Sequence, residues 1–168
     1  MSDRIRYATG DSSLGPIIAA VSDRGLVAFE FAEGPAALRA RFPDAELIED
    51  AAGLAGTLHS LAALVDSPAL SPSIPLDMRG SDYQKRVWDL LRAIPAGETR
   101  SYGAIAAQLG TRDARDVTDA IASNGIAVLI PCHRVVKKDG VLSGYRWGVA
   151  RKRALLARER ETAPFRLA

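Results

Sequence analysis

The chain's single cysteine, Cys132, sits in the run Pro131-Cys132-His133-Arg134-Val135-Val136, directly after the apolar segment Ile126-Ala127-Val128-Leu129-Ile130. That segment reads as a buried strand, so the thiol emerges where the chain leaves the core, as a fixed nucleophile would. The thiolate is the reactive form of cysteine, and its population depends on nearby charge and hydrogen bonds. A lone cysteine is more often a small buried hydrophobe, and these residues by themselves leave both readings open. Along an extended segment, adjacent side chains point to opposite faces. Direct proton transfer between Cys132 and His133 is therefore disfavoured, and a bridging water is the natural link. With only Cys132, His59 and His133 as soft ligands, the usual four-ligand structural zinc site is out of reach. No metal is expected, and His59 reads as a surface or packing residue.

Composition narrows the class. The 168 residues are 48% hydrophobic and 25% charged, ordinary values for a globular protein. No apolar run approaches the roughly 20 residues of a membrane span, and Met1-Ser2-Asp3-Arg4-Ile5-Arg6 lacks the apolar core of a signal peptide. One cysteine excludes an intrachain disulfide and fits a reducing, cytoplasmic compartment. Charge is unevenly spread. Residues 1–79 carry 6 Arg and no Lys against 11 Asp plus Glu, a net −5; residues 80–168 carry 16 Lys plus Arg against 9 acids, a net +7. The second half is suited to face a polyanion, and the first is not.

The elements that must position the thiol follow from pattern and punctuation. Ile5–Ala8, Pro16–Val21 and Leu26–Phe31 are short apolar or alternating runs, expected as strands, with Ser22-Asp23-Arg24-Gly25 as a hairpin turn. Residues 35–42 and 51–65 carry helical spacing, the latter through Leu54, Leu58, Leu61 and Leu64. Ser67 to Pro75 has loop composition, and Ile74 to Met78 reads as a last strand. Ser81-Asp82-Tyr83-Gln84 fits a capping box opening a helix whose Tyr83, Val87, Leu90, Leu91 and Ile94 share a face. A short helix from Tyr102 to Leu109, stopped by Gly110, precedes one capped by Asp113 with Val117, Ala120, Ile121 and Asn124 on one face. Together they form a helix-turn-helix candidate. Gly148 to Arg160 reads as a final helix with Leu155 and Leu156 inward and several cations outward. The expected division is 1–79 as an N-terminal α/β lobe and 80–168 as a mainly helical lobe.

The stretch Asn124 to Tyr145, centred on Ile130-Pro131-Cys132-His133-Arg134-Val135-Val136 and followed by Ser143-Gly144-Tyr145-Arg146-Trp147-Gly148-Val149, resembles the active-site signature of O6-alkylguanine-DNA alkyltransferases. The likeness runs from Ile5 to Glu159 and is strongest to the C-terminal repair domain of bacterial adaptive-response (Ada) proteins. It implies an α+β fold, with a small ribonuclease H-like lobe bearing a short antiparallel sheet before a helical lobe with the helix-turn-helix and the active-site cysteine. It implies suicide repair of double-stranded DNA. The alkyl group passes from guanine O6, or thymine O4, to Cys132 once per molecule, without a cofactor, membrane or obligate protein partner, in a monomer of the bacterial cytosol or nucleoid. His133 would activate Cys132 through water, Glu159 would orient the imidazole, and Tyr102 would donate to guanine N3. Arg115 would fill the stack vacated by the flipped nucleotide from the minor-groove side, and Asn124 would brace the recognition helix against the active-site strand. Val135, Ser143, Gly144 and Tyr145 would hold the base, with Tyr145 as a lid, while Arg134 would serve as a structural ion-pair partner.

Three departures from the family pattern bear on DNA binding. The turn Gly110-Thr111-Arg112-Asp113-Ala114-Arg115 is one residue short, which loosens the assignment of Arg115. Asp116 and Asp119 replace small or apolar residues and would weaken contact with phosphates. Asn124-Gly125 replaces Asn-Pro and implies a more flexible turn. Two other functions compete. One is a non-enzymatic lesion sensor, against which the presence of Cys132 argues. The other is a cysteine hydrolase using Cys132 and His133, which would need an oxyanion hole and turnover.

Overall fold

Residues 3–70, 72–110, 114–142 and 144–162 are described by the computed structural model. Strands β1 (Arg4–Ser12), β2 (Gly15–Val21) and β3 (Leu26–Glu30) form an antiparallel meander. The turn between β2 and β3 closes through a 2.8 Å bond from the Ser22 N–H to the Gly25 carbonyl. β3 is buried throughout and β2 over residues 17–20, as their apolar stretches require. Helices α1 (Ala36–Arg41) and α2 (Ala51–Asp66) flank the sheet, α2 burying Leu54, Leu61, Leu64 and Val65. Ile5, Ile18, Ala20, Val27, Ala28 and Leu38 make one continuous core cluster. A fourth strand, β4 (Glu46–Glu49), pairs in parallel with β1 and gives the order β3-β2-β1-β4. Sequence reading lacks β4 because only Leu47 and Ile48 separate its two glutamates, a charged edge with little apolar signal.

Two further segments join this unit. The expected strand at Ile74 to Met78 is reduced to a single bridge, Leu26 with Leu76. Gly125–Ala127 adds to β3 through the Phe29 N–H to the Gly125 carbonyl (2.9 Å) and the Ala127 N–H to the Phe29 carbonyl (2.7 Å). The apolar run 126–130 is therefore not a strand. Only Ile126 bridges, and Val128 adopts φ 65°, the left-handed region that a β-branched residue avoids. Gly125 has a packing reason rather than a flexibility one: a Cβ there would lie 2.1 Å from the Arg41 guanidinium. The first compact unit thus comprises Met1–Asp66, Pro72–Arg79 and Gly125–Ala127, and the second Ser67–Ser71, Gly80–Asn124 and Val128–Ala168.

In the second unit the capping box forms as the spacing demands. The Ser81 hydroxyl accepts from the Gln84 N–H (3.1 Å), and the Gln84 side chain accepts from the Ser81 N–H (2.9 Å). Such a cap contributes about 1 kcal/mol. Helix α3 (Asp82–Arg92) buries Val87, Trp88 and Leu91, and the Trp88 indole N–H donates to the Ala120 carbonyl at 2.9 Å. A two-residue parallel ladder joins β5 (Arg100–Ser101) to β6 (Val135–Val136). Helix α4 (Tyr102–Leu109) starts at a Ser101 cap and ends on Gly110 at φ 71°, and α5 (Ala114–Ala122) follows. Val117, Ala120, Ile121 and Asn124 are buried as one face; the proposed Asp113 cap and the short turn before Arg115 lie outside the described residues. Helix α6 (Val149–Thr162) buries Leu155 and Leu156. Among the described residues no helix is long and apolar enough to cross a membrane.

Candidate active site

Cys132, His133 and Arg134 form one turn of 3-10 helix rather than an extended strand. This corrects the alternation argument made from the sequence. In a 3-10 turn, successive side chains diverge by roughly 120°, so Cys132 and His133 still point apart, but by rotation rather than by pleat. Three residues are too few to carry a helical period, which is why the segment after the apolar run 126–130 reads as its extended continuation. All three side chains are buried, His133 completely.

The second unit wraps these side chains from three directions. From α6, the Glu159 Oε1 lies 2.6 Å from His133 Nε2 and 2.8 Å from Arg134 Nε. The Arg134 guanidinium also donates to the Ile94 carbonyl at 2.7 Å, so its expected role as an ion-pair partner is what its contacts describe. Burial alone would raise the Glu159 pKa, but the hydrogen bonds and charges of His133 and Arg134 outweigh it and hold the carboxyl below its usual range. Burial pushes the His133 pKa down, with Glu159 opposing. The resting state is a carboxylate facing a neutral imidazole. Because a carboxylate only accepts, Nε2 carries the proton. Nδ1 is then a basic lone pair, and among the described residues it has no hydrogen-bond partner.

Asn124, just beyond α5, donates from Nδ2 to the Ile130 carbonyl (2.9 Å) and to Cys132 Sγ (3.3 Å). One amide therefore ties the turn before the thiol to the end of α5. Burial pushes the Cys132 thiol up to about 11, against the opposing influence of Asn124, Lys152 and Arg146. The thiol is protonated at rest and requires a base.

Cys132 opens into a pocket of about 210 Å³ walled by Tyr102 at the start of α4, Thr118, Ile121 and Ala122 of α5, and Gly144, Tyr145 and Arg146. The Tyr145 hydroxyl is buried and has no hydrogen-bond partner among the described residues. Its ring stands edge-on to Trp147, centroids 5.2 Å apart. The structure thus gathers Cys132, Tyr102, Gly144 and Tyr145 around one cavity, with Asn124 hydrogen-bonded to the thiol and the adjacent His133 held by Glu159. Val135 is buried in β6, its N–H closing the 3-10 turn onto the Cys132 carbonyl. Arg115 is exposed on α5 and is not part of the pocket wall. Ser143 lies outside the described residues.

Sequence reasoning did not single out Lys152 from the cations of the last helix. Lys152 is fully buried. Its Nζ stands 5.9 Å from the Tyr102 ring centroid and 3.4 Å from the Gly144 carbonyl. Burial lowers its pKa, and a charge on Cys132 raises it. The available signal was its position three residues before Leu155, on the inward face, though lysine is rarely read there. Among the described residues no group of three or more His, Cys, Asp or Glu side chains is placed to hold a metal ion.

A buried thiol in a cavity wall, a neutral imidazole fixed by a carboxylate, and a phenol in the same wall suit displacement at an electrophilic carbon. Comparison with known proteins gives the same direction. Residues 82–161 match the family described as 6-O-methylguanine DNA methyltransferase, DNA binding domain. The chain is 41% identical over 162 residues to the bifunctional transcriptional activator/DNA repair enzyme Ada of Escherichia coli, covering 94% of this chain but 46% of that protein's length. It is 40% identical over 162 residues to the methylated-DNA--protein-cysteine methyltransferase of Mycobacterium tuberculosis, covering 95% of each. The crystal structure of the M. tuberculosis O6-methylguanine methyltransferase superposes with TM-score 0.79 at 38% identity, covering 97% of each chain. The structure of M. tuberculosis OGT in complex with DNA superposes with TM-score 0.80 at 39% identity, over 95% of this chain and 96% of that one.

Proposed function

This chain belongs to the O6-methylguanine-DNA methyltransferase family, and on that premise we propose that it repairs double-stranded DNA by moving an alkyl group from guanine O6 irreversibly onto Cys132, once per molecule. Thymine O4 presents the same alkyl–oxygen bond and is a second substrate. In this reading residues 80–168 carry both DNA binding and transfer, residues 1–79 form the accompanying lobe, and the protein acts as a monomer in the bacterial cytoplasm.

The observation that carries the reading is the direction of the hydrogen-bond chain behind the thiol. Glu159 Oε1 accepts from His133 Nε2 across 2.6 Å and leaves Nδ1 as the acceptor. A water between Nδ1 and Sγ would relay the thiol proton to His133, and Glu159 would stabilise the resulting imidazolium. The thiolate attacks the alkyl carbon in line, the S–C bond forms as the C–O6 bond breaks, and the electron pair stays with the guanine. The Tyr102 hydroxyl donates to N3 and offsets that developing charge, as an aimed donor does in a water-poor site. Gly144, Tyr145, Ser143 and the backbone at Val135 hold the base, and Asn124 keeps Sγ at the cavity floor. Because O6 is paired inside the duplex, the nucleotide must rotate out at a cost of a few kcal/mol, and Arg115 occupies the gap. No step returns the thioether to a thiol.

The test is a titration of the protein with excess duplex carrying one O6-methylguanine per molecule. Repair that stops at one lesion per chain, and is absent in Cys132→Ala, fits the proposal. Repeated turnover would overturn it in favour of a cysteine hydrolase.

A further inference from the structure

Helix α5 presents faces with different surroundings. Val117, Ala120 and Ile121 are buried, and Thr118 and Ala122 border the Cys132 pocket. Arg115 and Asp119, four residues apart and both exposed, share the outer stripe that runs beside the pocket mouth. Asp116 is exposed too, but a helical turn of roughly 100° per residue places it on the flank away from Thr118.

A mouth that admits a base rotated out of a duplex must lie against that duplex, so the stripe carrying Arg115 and Asp119 meets the DNA. The two residues are about 6 Å apart along the helix axis, and a helix inclined to the duplex axis spaces them by one to two base-pair rises of roughly 3.4 Å. If one stands at the vacated step, the other stands at a neighbouring pair. A carboxylate there has two possible neighbours. Phosphate oxygens would repel it, whereas exocyclic amino groups on base edges are donors that an acceptor-only side chain can meet. Its side chain has a single methylene, so it stays close to the groove-facing helix surface rather than reaching out to the strand backbones.

We propose that Asp119 accepts a hydrogen bond from an exocyclic amino group of the base pair beside the damaged nucleotide and so gives repair a sequence-context preference. The proposal rests on the DNA-repair reading above. In the minor groove the only such donor is guanine N2; in the major groove the donors are cytosine N4 and adenine N6. A neighbouring pair that offers only acceptors leaves the carboxylate desolvated without a partner, which is the source of discrimination.

Single-turnover repair by the full chain, measured on duplexes that differ only in the pair flanking one O6-methylguanine, tests this. Replacing a flanking guanine by inosine removes N2 alone, and replacing a flanking adenine by purine removes N6 alone. The expected result is a loss of roughly fivefold or more in repair rate when the recognised amino group is removed. Loss with inosine identifies guanine N2, loss with purine identifies adenine N6, and a G·C preference that survives inosine identifies cytosine N4. Asp119→Ala should level the contexts, while Asp116→Ala should keep the parental preference. A parent without context preference, or Asp119→Ala accelerating every context equally, would overturn the proposal and leave simple phosphate repulsion. Absence of methyl transfer from every duplex would overturn the repair reading and this proposal with it, whereas transfer without preference overturns this proposal alone.

Discussion

Replacing Glu159 by Gln exchanges one carboxylate oxygen for an amide nitrogen and removes the negative charge that His133 and Arg134 share. The perturbation acts on both partners. Arg134, 8% exposed, keeps the Ile94 carbonyl but loses its counter-charge; breaking a buried pair from one side costs about 3–5 kcal/mol. For a domain of this size that lowers Tm by roughly 6–20 °C, at about 2–4 °C per kcal/mol. His133 loses the group that raises its basicity, and general-base help of this kind is worth about 10²–10⁴ in rate. The two effects separate in the double variant Glu159→Gln/Arg134→Met, which removes the orphaned cation. It should regain much of the stability and none of the rate. The pH dependence has a defined sign. Glu159 is held below its ordinary pKa of 4.5 and contributes stability above that value, which is lost as pH falls through its folded pKa. His133 is held below 6.5, so stability also falls as pH drops under 6.5, where the unfolded chain takes up a proton that the native site refuses. Urea melts between pH 4 and 7.5, run beside single-turnover transfer, read both quantities. Glu159→Gln with parental stability and parental rate would refute the assignment of this network.

Three other outcomes follow from the same geometry. Because the Cys132 thiol is pushed up to about 11 from 9.0, native stability should fall as pH rises from 9 through 11, by about 3 kcal/mol; Cys132→Ala should flatten that part of a pH series of denaturant midpoints. Lys152→Met removes a buried cation that favours the thiolate, so iodoacetamide should modify Cys132 more slowly at pH 8, with its pH profile shifted upward; an unchanged profile would detach Lys152 from the thiol. Arg115→Ala should slow repair in duplex DNA far more than reaction with free O6-benzylguanine, which needs no base rotation; equal losses would make Arg115 a fold residue.

Where sequence patterns are local, they carried through to the structure. The Ser81–Gln84 box, the Gly110 stop and the apolar faces of α3 and α5 depend on residues within a few positions of one another. The strands around the Ser22–Gly25 turn are legible for the same reason. Pairings between distant segments are not written in any local period. The β5–β6 ladder joins Arg100–Ser101 to Val135–Val136, and two residues per strand leave no alternation to read. The run 126–130 has strand composition, yet Val128 at φ 65° bends it, a conformation imposed by surroundings rather than by preference. At the site, motif residues were legible by type and order. Lys152 was not, because a buried lysine is costly in general and becomes sensible only once Tyr102, Gly144 and Cys132 are seen around it.

The proposed function stands on Cys132 being the acceptor in an irreversible alkyl transfer. Its most direct test is the mass of the intact protein, followed by peptide mapping, after incubation with duplex DNA containing O6-methylguanine. The expected result is a single added methyl group, located on Cys132, with unmodified guanine left in the duplex. A protein of unchanged mass while the lesion disappears, or a methyl group on any residue other than Cys132, would contradict it.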